Sequence, residues 1–384
     1  MNRPSRHASL PLALAAAASL AIIAGCASSG QNAIAKPPIA SDARANAFPI
    51  AAADWSRLGY KWDWTGFPFV SGNGRITDIV VFPDVVVTQE SGSVVSVLEA
   101  SNGSQRWSSG QANPLTRFVG NVRFADAARG DVLVSASESE LFILSLQTGT
   151  LLDRQKLDKV VNTRPLASGD RVIFGTAVGE VFSHWLERSF KVWGFGTSAA
   201  IDTDLARIDD ATIVAANQAG QLTFLNDAGS LVSQSRIFGG PGAPMATGNG
   251  MVFIASVDQS LYAYDTAGRQ VWRLRTNAPL REKPTFANGV VYCSLQEPGL
   301  SAFDAASGRT LWSNKDVHGV VVATRKGRLI VRDGERVLAV DPQRGDIIEA
   351  VTAKGLQRLA TDAFEDGNLY AVSTSGVVAK FLPR

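Results

Sequence analysis

One segment recurs along the chain, and that recurrence constrains the fold more than any other feature. Gly250 to Arg273 reads GMVFIASVDQSLYAYDTAGRQVWR. Met251–Ala255 is a short, nearly all-apolar run, as a strand buried on both faces requires. Asp258-Gln259 is a polar turn. Leu261–Tyr264 suits a pleated, half-buried surface. In Asp265-Thr266-Ala267-Gly268 the Asp can accept from nearby backbone N–H groups and the Gly supplies positive φ. Gln270–Leu274 is a third strand carrying Trp272. Such a unit is too small to bury its own apolar faces, so it predicts a stack of copies.

The copies are present. Gly289–Trp312 and Asp84–Trp107 repeat the pattern almost element for element, and weaker copies begin at Asp131, Asp170, Ala211, Gly327 and Gly367. Their turn glycines are Gly103, Gly149, Gly229, Gly268, Gly308 and Gly345, with successive spacings of 46, 80, 39, 40 and 37 residues. The spacing of 80 spans two units. Ser189 occupies the missing turn position, with Trp193 four residues beyond it, as Trp107, Trp272 and Trp312 stand beyond Gly103, Gly268 and Gly308. Short strands and turns at a period of about 40 residues predict an all-β propeller with one four-stranded sheet per blade.

Gly59–Trp64 (GYKWDW) reads as an outermost strand with no strands before it, whereas Asn368–Ser373 and Val377–Leu382 are strands with no outer partner after them. The N-terminal strand is therefore expected to complete the last blade and close the ring. Seven turn positions and this shared blade give eight blades. Seven is the alternative count, because the third unit is irregular over Ser183–Arg188. The repeated Trp107, Trp193, Trp272 and Trp312 are expected to pack between blades, each burying on the order of 200 Å². Glu99, Asn226, Asp265, Asp304 and Asp341 are expected to cap turns.

Residues 1–25 read as a targeting segment, with Arg3 and Arg6 ahead of the apolar run Leu10–Ile23, which is short for a bilayer span. Ile23-Ala24-Gly25-Cys26 resembles the bacterial lipobox, which implies lipidation of Cys26; a plain secretory leader with a chance cysteine is the alternative. Ala27, where an Asp would imply retention at the inner membrane in enterobacteria-like sorting, favours the outer membrane. Residues 26–54 are rich in Ala, Ser and Pro and read as a tether reaching about 90 Å when extended, or as an arm lying along the domain. The propeller is assigned residues 55–384. Without Arg3 and Arg6 the chain carries 35 basic and 35 acidic residues, which argues against a nucleic-acid partner. Cys293, the other cysteine, falls in a strand and is expected to be a buried, inert thiol.

The form L-Y-A-x-D-x-x-x-G-x-x-x-W, present as Leu300–Trp312 with Ser301 at the Tyr position and as Leu261–Trp272 with one residue fewer between Asp265 and Gly268, resembles the PQQ-like β-propeller repeat. That resemblance covers nearly all of residues 55–382 and is specific for fold, not function. Among non-enzymatic propellers the chain is similar to the BamB-type outer-membrane protein assembly factors, which are also lipoproteins with an eight-bladed ring. The resemblance implies a periplasm-facing scaffold beside a β-barrel insertase, and edge pairing to unfolded barrel strands. It fixes no partner-binding residue.

Enzymatic signals are weak. Quinoprotein dehydrogenases of this repeat family hold PQQ over calcium beside an adjacent-cysteine disulfide, and this chain has no adjacent cysteines. No clustered acidic loop announces calcium. His7 lies in the leader, and two isolated histidines, His184 and His318, make poor material for a zinc site or a Ser-His-Asp arrangement. Gly239-Gly240-Pro241-Gly242 lacks the helix that a phosphate cradle needs. No catalytic residue, metal or cofactor is therefore assigned. Arg273, Arg275, Arg281 and Lys283, and then Arg325, Lys326, Arg328, Arg332 and Arg336, read either as a basic rim for an acidic partner, lipid headgroups or peptidoglycan, or as solvated edges that prevent sheet pairing. Three functions stay open: an assembly scaffold with a protein partner, a PQQ- or small-ligand-binding propeller, and a module for envelope polysaccharide or peptide.

Overall fold

The computed structural model describes residues 51–126 and 129–384. The expected leader, Cys26 and nearly all of the tether lie outside the described residues. The chain forms eight four-stranded antiparallel sheets. Blades 1 to 7 span residues 76–110, 118–156, 166–196, 206–236, 246–275, 285–314 and 320–352. Blade 8 joins Leu356–Thr361, Leu369–Ser373 and Val378–Pro383 to the N-terminal strand Tyr60–Gly66. The first strand of each blade lies innermost, and from blade 4 round to blade 1 each touches the first strand of the next blade. The ring is thus an eight-bladed β-propeller, closed by the N-terminal strand as its sequence suggests.

The repeat shows why this architecture forms. In blade 5 the strands Met251–Ser256 and Ser260–Asp265 are almost wholly buried, whereas the outer strand Gln270–Arg275 is half exposed. Two central strands covered on both faces need apolar partners from adjacent blades. Accordingly the described residues form eight apolar clusters, each bridging two neighbouring blades. The innermost strands are much shorter in places. Ala206–Arg207, Ala246–Gly248 and Thr285–Ala287 have two or three residues each. This explains why the sequence repeat displays three strands per unit and hides the fourth.

Because each blade is an up-and-down meander, its connections alternate between two rims. We call the rim where innermost strands begin the upper rim. It carries the connections between blades and the turns between second and third strands. The lower rim carries the Asp/Gly turns of the repeat.

The ends of the chain meet at the lower rim. Tyr60 pairs with Pro383 and Gly66 with Val378, with a bulge between Trp62 and Trp64. Residues 52–54, assigned to the tether by sequence, belong to a short helix, Ala52–Arg57. Its Trp55 is fully buried and stacks on Phe381 at 3.7 Å. Arg325 is buried, not solvated. It donates to the Gly59 carbonyl at 2.9 Å, to Asp366 at 2.6 Å and to the Arg384 carbonyl, so one guanidinium holds both chain ends.

Candidate functional site

The repeated tryptophans and glycines come together at the blade interfaces. Trp107 Nε1 donates to the Leu146 carbonyl, Trp272 to Ala305 and Trp312 to Pro342, at 2.9, 2.8 and 2.7 Å. Trp193 donates to Asp227 at 3.1 Å, and Trp64 of the closing strand to Ala100 at 3.0 Å. Each acceptor lies in the lower-rim turn of the next blade. The indole lies against that turn's glycine. A Cβ built on Gly149 would lie 2.5 Å from Trp107 Cδ2, and one on Gly308 would lie 2.7 Å from Trp272 Cδ2. Gly103, Gly229 and Gly345 sit likewise beneath Trp64, Trp193 and Trp312. These glycines are needed twice over, for a left-handed φ and for the close approach of a ring.

Where the tryptophan is absent, another donor serves. Blade 2 has Asp153 at that position. Gln155 instead donates its amide to the Leu186 carbonyl at 2.7 Å, and the adjoining turn carries Ser189 at φ 54 in place of glycine. Gln155 Oε1 accepts from the buried His184 Nε2 at 2.8 Å. Burial lowers the His184 pKa below its ordinary value, with Asp158 opposing. In blade 4, Ser235 donates to the Gly268 carbonyl.

The turn acids divide. Asn226 accepts from the backbone of Ala228 and Ser230, Asp265 from Arg269, Asp304 from Ser307, and Asp341 from Gln343 and Arg344, at 2.8 to 3.0 Å. Glu99 instead takes a two-bond grip from Arg106 at 2.7 and 2.9 Å, while Asn102 caps the Ser104 N–H. Cys293 is buried in its strand, and desolvation pushes its thiol up to about 12. Among the described residues no group of three or more His, Cys, Asp and Glu side chains converges on one point.

Two regions offer binding surface. The first is an arc of apolar loop tips on the upper rim: Leu115 (93% exposed), Val160, Val178 (68%), Phe238 (82%) and Val257. Arg273 lies under this arc, its guanidinium 4.9 Å from the Phe238 ring and 5.2 Å from Tyr262. The second is a cavity of about 540 Å³ in the channel, lined by Met245, Phe286, Val320, Val322, Leu359 and Phe364 among others, with Lys283 beside it. Phe364 belongs to the 362–368 loop, whose Phe364 carbonyl accepts from Thr324 N–H at 2.7 Å and whose Glu365 accepts from Asn288 at 2.9 Å. That loop reaches from blade 8 along the lower rim to blades 7 and 6, with Phe364 in the cavity wall. Beyond the basic residues Arg273 and Lys283, neither region is legible in the repeat, because loop tips and channel walls come from different blades and share no motif.

Fold and surface together define a class: an eight-bladed propeller of PQQ-like repeats, whose joints are structural and whose free surfaces are a loop-bearing rim and a channel. The profile of the family described as outer membrane protein assembly factor BamB matches residues 90–242 and 218–383, and the chain belongs to that family. The crystal structure of BamB from Moraxella catarrhalis is similar at a TM-score of 0.64 and 22% identity, over 81% of this chain and 98% of that one. The computationally designed Ika8 protein superposes at a TM-score of 0.65 with 16% identity, over 83% of this chain and 100% of that one. At these identities both similarities speak for the fold alone. No curated protein matches the chain by sequence.

Proposed function

We propose that this protein is a lipid-anchored, non-enzymatic scaffold that faces the periplasm and assists assembly of outer-membrane β-barrel proteins. The observation that carries the reading is the arc of exposed apolar tips on the upper rim. Apolar side chains gathered on one set of loops mark a protein contact, and Arg273 beneath Phe238 holds that ring outward as a pre-positioned anchor. Family membership supports the assembly role. The leader-like residues 1–25, Cys26 and the Ala/Ser/Pro-rich stretch to residue 50 support the lipid anchor and tether.

The outer edges supply a second mode of contact. The outer strand of blade 4, Leu231–Arg236, has an exposed edge with Leu231 and Val232 at 47 and 48% exposure and no charge before Arg236. Edges of this kind accept an added strand from another chain.

The test is in-cell photo-crosslinking of the full chain, with the probe at Phe238 on the upper rim or at Arg269 on the lower. The expected result is a dominant adduct at position 238 to an integral β-barrel protein with periplasmic domains, and none at 269. Adducts confined to cell wall or unrelated envelope proteins would sink the assembly role in favour of a general envelope-binding module. Titration with PQQ and calcium is expected to be flat. Fatty-acid labelling is expected to mark the protein and to disappear in Cys26→Ala.

A further inference from the structure

A separate feature occupies the centre of the upper rim. Innermost strands begin there, so residues at their starts converge from different blades on the channel mouth. Arg75 immediately precedes the inner strand of blade 1, and Arg164 lies just ahead of that of blade 3. Arg358 sits at the bulge near the start of the inner strand of blade 8, and Arg332 stands opposite Val320, where the inner strand of blade 7 begins. Arg164 reaches past Gly120 of blade 2 to grip Asp78 of blade 1 with two bonds, 2.5 and 3.2 Å long. Asp204 accepts the Arg164 backbone N–H at 2.9 Å and lies 3.6 Å from its Nε. Arg358 donates to the Ile76 carbonyl at 3.4 Å.

This cluster has too few acceptors. Four guanidinium groups face two carboxylates, and both carboxylates serve Arg164. Burial, followed by the charges of Arg164, Arg332 and Arg75, holds Arg358 below the usual arginine range, with Asp78 pulling the other way. Arg332 Nε is buried without an acceptor. Asn121, only 8% exposed, has neither amide atom paired. It stands beside Ser135, whose hydroxyl is 3.5 Å from Gln89 Oε1, and Gln89 stands beside Asp78. The unpaired amide therefore faces the same cleft as Asp78. Buried polar groups left without partners are uncommon and costly in folded chains. An anion at this point would satisfy them together.

We propose that the channel mouth is a binding site for a phosphate-type dianion, with Arg358, Arg332 and Arg75 as its cationic partners, Arg164 oriented by Asp78, and the Asn121 amide as a neutral donor. Guanidinium forks match an oxyanion in both shape and charge. Two charges on the ligand balance the two guanidinium groups in excess of the carboxylates, which a single carboxylate does not. The channel cavity bordered by Val320 and Leu359 leaves room for the rest of a phosphorylated ligand. The site is independent of the assembly role.

The test is thermal unfolding of the full chain at constant ionic strength in phosphate, acetate or chloride. Millimolar phosphate is expected to raise the midpoint by a few degrees through preferential binding to the native state, acetate less and chloride not at all. In Arg358→Gln the rise is expected to vanish while the midpoint without phosphate holds or increases, because one of four like charges is gone. Arg332→Gln, whose Nε has no partner to lose, repeats the test should Arg358→Gln fold poorly. Equal midpoints in phosphate and chloride, or a phosphate rise retained in both variants, would overturn the site. Co-sedimentation with phosphatidylcholine vesicles containing phosphatidic acid separates the sources. Binding that phosphate competes away and Arg332→Gln abolishes assigns a lipid headgroup; a phosphate effect without vesicle binding assigns a soluble phosphorylated ligand.

Discussion

Replacing Gly308 by Ala separates the two demands placed on the turn glycines. Gly308 and Gly250 have nearly the same left-handed φ, +71 and +69. Around Gly250 an added Cβ meets nothing within 4 Å; at Gly308 it lies 2.7 Å from Trp272 Cδ2 and 2.9 Å from Cε3 and Cγ. Gly250→Ala therefore carries only the conformational cost, about 1–2 kcal/mol. Gly308→Ala adds displacement of a packed indole, about 1–3 kcal/mol. It also strains the 2.8 Å bond from Trp272 to Ala305. The expected totals are about 1–2 kcal/mol for Gly250→Ala and about 2–5 kcal/mol for Gly308→Ala. Urea unfolding followed by both tryptophan fluorescence and far-UV circular dichroism measures them, provided the two transitions coincide. In a Trp272→Leu background the Gly308→Ala cost should fall to that of Gly250→Ala, since the obstructing ring is gone. Equal losses for the two glycine variants in the parent chain would refute the reasoning, for the indole would then not be seated on the turn.

Arg325→Ala should cost about 2–4 kcal/mol through lost charge-assisted bonds, and it should speed hydrogen exchange in Tyr60–Gly66 and Val378–Pro383 more than in blade 5. His184 should make stability pH-dependent. Its folded pKa lies below the ordinary 6.5, so its contribution is complete above that value. As pH falls below it, the unfolded chain takes up a proton that the native state refuses, and stability drops until the folded pKa is passed; His184→Gln should flatten this slope in unfolding midpoints between pH 7 and 5. The native Cys293 thiol should resist iodoacetamide at pH 8 and react on unfolding, because burial keeps the thiolate scarce.

Much of the ring was legible in the chain itself. Pairs such as Gly308 and Trp272 recur because every interface between blades poses the same packing problem, and a repeated solution leaves a repeated trace. The closing strand was legible for a related reason: an outer strand at one end and a missing one at the other form a single deficit. The exceptions were harder to read. Glu99 occupies a capping position yet binds Arg106, and Arg325 sits in a basic stretch yet is buried at the seam, because a neighbour from elsewhere in the chain decides what each charge meets. Gln155 takes over the role of an indole N–H two residues from the repeat position, so alignment to the repeat alone overlooks it.

The sequence by itself determined the architecture: a local unit that cannot cover its own faces, copied at a near-constant period, must stack, and its unmatched ends must pair. The tertiary structure decided the surfaces. Leu115, Val178 and Phe238 become one arc, and Arg164, Arg332 and Arg358 one channel mouth, only when closure of the ring brings the starts of innermost strands together. Their separation along the chain carries no periodic signal, because convergence at a rim depends on where each blade begins and not on what its repeat contains.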